Sequence, residues 1–183
     1  MSKFSISDIT NQDTTILATT ILTNSLRTVK DNSSVLDNIV DEIVQSCCGE
    51  LDSYITYVKS ILADDNLKSI PTPILEDITI SLPVILYQVS DAQEHMGIKE
   101  DIAKSAKLEV YNNAFNNANG TVNDKKAIAE LQCQSESVVH TIYQRCYKIV
   151  KSRMDLGLEL LQSVKKVLSK RITELELSRT SNI

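Results

Sequence analysis

The stretch that decides the fold runs from Asn123 to Leu177: NDKKAIAELQCQSESVVHTIYQRCYKIVKSRMDLGLELLQSVKKVLSKRITELEL. It holds no proline, and Gly157 is its sole glycine. Ile142, Cys146, Ile149, Val150, Leu160, Leu161, Val164, Val167 and Leu168 recur at helical steps and project onto one arc of a helical wheel. The pattern predicts one helix of up to about 80 Å, or two collinear helices, at 1.5 Å per residue. Immediately upstream, Asn116-Asn117-Ala118-Asn119-Gly120 is the clearest turn in the chain, and Thr121-x-x-Asp124 has the form of a capping box. Before the turn, Lys99 to Asn117 reads as a helix with Ile102, Ala106, Val110 and Ala114 on its inner side. The segments flanking Gly120 therefore form an antiparallel helical hairpin.

Further toward the N-terminus, Pro71-Thr72-Pro73 both breaks the chain and starts a helix, with Thr72 as cap and Pro73 at the first helical position. Leu75, Ile78, Leu82, Ile85, Leu86 and Val89 follow on one stripe. Pro83 is expected to kink or end that helix, and Gly97 to terminate it in a left-handed cap. Ser34-x-x-Asp37 opens another helix after a turn at Asp31-Asn32-Ser33. Its stripe is Leu36, Val40, Ile43, Cys47, Leu51, Tyr54, Val58 and Ile61, and it ends near Asp64-Asp65-Asn66. Residues 7–30 carry a weaker helical pattern diluted by seven threonines, whose branched side chains resist the helix.

Four Gly and three Pro in 183 residues cannot punctuate a many-stranded β protein. The fold class is all-α: an antiparallel helical bundle with a long C-terminal helical hairpin. Three regions are expected: an acidic helical region over 1–66, a hairpin and bundle core over 67–177, and a disordered tail over 178–183, all in one cooperative domain. No apolar run is long enough to span a bilayer, and the polar N-terminus lacks a signal-peptide pattern, so the expected location is the cytoplasm, away from membranes. Cys47, Cys48, Cys133 and Cys146 then stay reduced and serve as small core residues.

Catalytic signatures are missing. There is no phosphate-cradling glycine loop, no nucleophile elbow and no zinc-protease motif. His95 reads as a solvated residue near a helix end and His140 as a surface neighbour of Glu136, so neither has a nucleophile or substrate group to serve. The cysteines and histidines fit no familiar metal spacing. The chain is expected to be no enzyme, to need no cofactor or metal, and to work by binding.

What it binds is suggested by charge. Met1–Glu100 holds six Lys/Arg against fifteen Asp/Glu; the remainder holds thirteen against nine. Within Arg145–Arg171 the cations are Arg145, Lys148, Lys151, Arg153, Lys165, Lys166, Lys170 and Arg171, against only Asp155 and Glu159. On the wheel, Arg145, Lys148, Lys151, Lys165, Lys166 and Lys170 lie opposite the apolar arc. Such a face is either simply solvated or a binding surface for a polyanion. Arg153 and Arg171 project inside the apolar arc, where each must snorkel to water or find a carboxylate elsewhere. Gly157, on the same arc, admits close approach by another backbone. Tyr143 and Tyr147 are either half-buried aromatics or base-stacking platforms.

The run Ile98-Lys99-Glu100-Asp101-Ile102-Ala103-Lys104, the turn at Gly120, and the long helix with Val150-Lys151-Ser152-Arg153 resemble the UvsY-type recombination mediators of T-even and related bacteriophages. The resemblance covers residues 75–171 and is one of layout. It implies a small helical protein that assembles into a ring-like homo-oligomer and binds single-stranded DNA. Such a protein helps load a RecA-like recombinase onto strands covered by single-strand binding protein. It also implies phosphate contacts from Lys151 and Arg153. The chain departs from that pattern in its additional N-terminal region and its acidic balance. A second expectation stands beside this one: a structural or interaction protein, such as a virion component or an inhibitor of a host protein, that binds no nucleic acid.

Overall fold

The computed structural model describes residues 33–61 and 70–180. The helical pattern over residues 7–30 lies outside them. The chain divides into two compact units, residues 1–39 and 40–183. Of the first, residues 33–39 are described and are helical. The break expected near residue 66 lies outside the described residues.

Four helices follow in order: α1 over 33–61, α2 Thr72–Asn117, α3 Val122–Gln132 and α4 Gln134–Thr180. No strand occurs among the described residues, and the all-α reading holds. In α1, Val40, Val44, Cys48, Leu51 and Val58 are buried, the stripe that helical periodicity demands. Its Ser and Thr residues are accommodated because their hydroxyls donate back to carbonyls one turn earlier: Ser53 to Gly49, Thr56 to Asp52, Ser60 to Tyr57.

The core is a single cluster in which α1 contributes Cys48 and Leu51, α2 Leu75, Ile78, Leu82 and Val89, and α4 Cys146, Val150, Leu161 and Val164. Each fully buried leucine or isoleucine contributes about 1.5–3 kcal/mol by leaving water. The helix directions follow from cross-contacts. From the residue pair before α2 onward, Arg171 of α4 meets Ile70, Gly157 meets Leu86, Tyr147 meets Gly97 and His140 meets Glu100. Numbers rise on one helix as they fall on the other, so the pair is antiparallel. Asp52 meets Arg153 and Leu51 approaches Gly157, which places α1 alongside α4.

Several local expectations are corrected. Helix α1 already includes Ser33 and Ser34, so Ser34 is not its cap. Helix α2 starts one residue early, with Pro71 at the cap position and no side-chain cap bond. It then runs without a break through Pro83 and Gly97 to Asn117. Leu82, Ile85 and Leu86, its neighbours in sequence, are buried in the core, and that burial outweighs a missing N–H and ring clash of about 3 kcal/mol. Gly97 is mid-helix; among the described residues only Gly120 has positive φ, at 121°. The turn and cap there form as expected. Thr121 Oγ1 accepts from the Asp124 N–H, and the Asp124 carboxylate accepts from the Thr121 N–H at 3.0 Å and from its hydroxyl at 2.7 Å. These bonds hold the exposed Asp124 carboxyl below its ordinary pKa.

The long C-terminal run is two consecutive helices, and the junction is Cys133, not Gly157. Cys133 keeps near-helical dihedrals (φ −93°, ψ 18°), donating to the Ala129 carbonyl at 3.1 Å and accepting from Ser137 at 2.9 Å. Helix α4 continues through Ser178 to Thr180, past the point where a tail was expected. Beyond the main cluster, α2 and α3 meet over buried Ala103, Ala114, Ala129 and Cys133, small residues that let two helices approach closely.

Candidate nucleic-acid interface

Helix α4 presents its buried line of Cys146, Val150, Gly157, Leu161 and Val164 to the other helices. The opposite line is exposed: Arg145, Lys148, Lys151, Lys165, Lys166 and Lys170 all face solvent. Among the described residues, Lys148, Lys151, Lys165 and Lys166 make no ion pair, whereas Lys170 lies 3.9 Å from Glu174 one turn on. Lys148 and Lys166 are five whole turns apart, so they share one line about 27 Å long at 1.5 Å per residue.

This face is not uniformly basic. Asp155 and Glu159 are exposed and continue the i, i+4 row from Lys151. The cations therefore fall into two groups, Arg145–Lys148–Lys151 and Lys165–Lys166–Lys170, with an acidic turn between them.

Arg153 belongs to neither group. It is half-buried, and its guanidinium donates to the Asp52 carboxylate of α1. The arginine in the apolar arc has found a carboxylate on another helix. The sequence did not single out Asp52, although it sits one turn after Cys48 and so borders the buried stripe of α1. Arg171, the second cation of the arc, donates to the backbone carbonyl of Ile70. Both are structural links, and Arg153 is engaged away from the exposed row.

Tyr143 and Tyr147 are half-buried and pack against the core cluster. The Tyr147 ring covers Gly97, its Cε2 lying 3.5 Å from where a Cβ would stand. Their placement is that of core-flanking aromatics, each partly exposed.

The histidines and cysteines lie off the cationic row. His95 is exposed in mid-helix, 3.7 Å from Asp91, and is not near a helix end. His140 is not a surface partner of Glu136; its buried Nε2 lies 3.8 Å from Glu100 Oε1 on α2. Burial pushes the Cys48 thiol up to about 11, with Arg153 opposing the rise, and raises Cys146 as well. Cys48, Cys133 and Cys146 are buried and Cys47 half-buried, all as free thiols. A mainly apolar groove of about 420 Å³ lies between α1 and α4, bordered by Ile55, Val58, Leu156, Leu160 and the Asp52–Arg153 pair. Among the described residues no group of three or more His, Cys, Asp or Glu could hold a metal ion, and no helix is long and apolar enough to cross a membrane.

The fold and this face together define an all-α bundle with a partly interrupted cationic surface on one rigid helix. No protein-family profile matches the chain, and no curated protein or solved structure matches it either.

Proposed function

We propose that the chain is a non-enzymatic, single-stranded-DNA-binding protein, a recombination mediator of phage type working as a helical oligomer in the host cytoplasm. The strand lies along the outer face of α4. The observation that carries this reading is the exposure of Lys148, Lys151, Lys165 and Lys166 on one helix, without ion-pair partners among the described residues. Core packing fixes that helix, so the cations are held in place rather than dispersed on loops. Lysines so placed neutralise phosphates and release counterions, which gives affinity without sequence preference. The mediator role, with a RecA-like recombinase and single-strand binding protein as partners, rests on the resemblance of the hairpin's layout.

The test is anisotropy of a labelled oligothymidylate titrated with the full chain at increasing salt. Four neutralised phosphates predict a log–log slope of about −3 on a single strand. The quadruple reversal of Lys148, Lys151, Lys165 and Lys166 to Glu is expected to abolish binding with helicity unchanged. Binding that survives the reversal, or none at low salt in the parent, rejects the face.

A second reading, a helical interaction protein that binds no nucleic acid, is favoured by a different observation: α2 exposes Ile80, Val84 and Tyr87 on successive turns. Recovery of one protein partner, with no oligonucleotide binding, selects it.

A further inference from the structure

The turn between α2 and α3 sets one asparagine apart from the others. Asn119 and Gly120 lie outside both helices and are exposed. Gly120 has a φ of 121°, a conformation open to glycine because it carries no Cβ. Its N–H makes no hydrogen bond among the described residues. Every other described asparagine is followed by an N–H that is already held. Asn38, Asn112, Asn113 and Asn116 precede residues inside α1 or α2, whose N–H groups belong to the helix ladder. After Asn117, the Ala118 N–H donates to the Ala114 carbonyl at 3.0 Å. After Asn123, the Asp124 N–H donates to Thr121 Oγ1 at 3.4 Å.

The difference matters because an asparagine amide carbon is an electrophile, and the backbone nitrogen of the next residue is its nearest nucleophile. A ladder bond keeps the proton on that nitrogen and fixes the backbone away from the approach. A Cβ on the next residue crowds the nitrogen as well. Gly120 presents neither obstacle.

We propose that Asn119 is a site of spontaneous deamidation through a cyclic imide formed with Gly120. The Gly120 nitrogen gives its proton to solvent base and attacks Asn119 Cγ. The N–Cγ bond forms, the bond from Cγ to the amide nitrogen breaks, and that nitrogen takes a proton from water and leaves as ammonia. Water then opens the imide. Addition at Cγ gives aspartate; addition at the main-chain carbonyl gives isoaspartate, in which the chain runs through Cβ and Cγ. No redox change occurs, and water is the sole co-reactant. Either product adds a negative charge to a turn that the Asp124 carboxylate already adjoins: a Cβ on Gly120 would stand 3.0 Å from its Oδ2. Isoaspartate also lengthens the backbone just ahead of Thr121, whose N–H and hydroxyl close the α3 cap on that same carboxylate. The modified turn therefore loosens the cap.

The test is incubation of the full chain at mildly alkaline pH, followed by released ammonia, by peptide masses and by labelling with an isoaspartyl methyltransferase. Conversion among the described asparagines is expected at Asn119 first, to a mixture of aspartate and isoaspartate, and faster as pH rises because the attacking nitrogen must lose its proton. Asn119→Gln, whose longer side chain has to close a larger ring, is expected to lose that early release of ammonia. The parent unfolded in urea is expected to convert Asn119 at a comparable rate, since the folded turn already leaves the nitrogen free. The isoaspartyl fraction is expected to melt below Asn119→Asp, which carries the charge without the longer backbone. An Asn119 that stays intact in the folded chain while the urea-unfolded chain converts it overturns the proposal. So does conversion at Asn117 or Asn123 as fast as at Asn119. An isoaspartyl fraction that melts together with Asn119→Asp refutes the loosening of the cap.

Discussion

Arg153 of α4 and Asp52 of α1 form an ion pair at the edge of the core, beside Cys48 and across the groove between the two helices. The pair ties helices far apart in sequence and gives a charge on the apolar arc of α4 a partner. Half-burial makes the contact more demanding than an ordinary surface bridge, because removing one member strands the other where water solvates it poorly.

The two members should therefore not be equivalent. Asp52→Ala leaves Arg153 unpaired and is expected to cost about 1–2 kcal/mol in urea unfolding. Adding Arg153→Met replaces the stranded charge with an apolar side chain suited to the arc, and the double variant is expected to recover most of that loss. A double variant as unstable as the single one would show that the aspartate matters for some reason other than this pair.

Glycines offer a second contrast, decided by space. Alanine in place of a mid-helix glycine gains about 1 kcal/mol of helix propensity. At Gly97 the nearest atom to an added Cβ is Tyr147 Cε2 at 3.5 Å, ordinary contact, so Gly97→Ala is expected to stabilise. At Gly157 the Cβ would stand 2.7 Å from Leu86 Cδ2 and 3.6 Å from Leu51 Cδ1, both buried. Overpacking there costs about 1–3 kcal/mol and outweighs the propensity gain, so Gly157→Ala is expected to lower the melting temperature. Thermal unfolding of the two variants side by side checks the opposite signs.

These cases show where the sequence is legible and where it is not. Periodicity gave the stripes of α1, α2 and α4, and the Thr121–Asp124 cap was readable because all its parts lie within four residues. Pro83 and Gly97 misled, because their local cost is a few kcal/mol at most and a long buried stripe exceeds it. Arg153 could be identified as needing a partner, but Asp52 is 101 positions away, and only the packing of α1 beside α4 brings it near. The cationic row was legible from spacing alone. Tyr143 and Tyr147 were not resolved, since spacing cannot say which neighbours a half-buried ring will meet.

Alkaline stability follows from Cys48. Burial raises its thiol from 9.0 to about 11. Above pH 9 the unfolded chain ionises this thiol and the folded chain does not, so the unfolded state binds fewer protons and stability falls as pH rises from about 9 to about 11. Below pH 9 the group contributes no pH dependence. Cys146 and Tyr54, both raised by burial, act with the same sign. Urea unfolding across this range is expected to show a shallower loss for Cys48→Ala than for the parent; an equal slope would assign the loss elsewhere.

The acidic turn within the cationic face yields the sharpest prediction about binding. Asp155 and Glu159 lie between Lys148–Lys151 and Lys165–Lys166 on the same exposed side of α4. A strand following that side passes both carboxylates, which repel its phosphates and disfavour continuous contact. Asp155→Asn with Glu159→Gln is therefore expected to raise affinity for single-stranded DNA, most at low salt, where screening is weakest. Neutralising only Lys165 and Lys166 to Gln is expected to reduce the salt slope by about 1.4 and leave the other cluster active. If the carboxylate variant binds no better than the parent, the strand does not run along α4 from one cluster to the other.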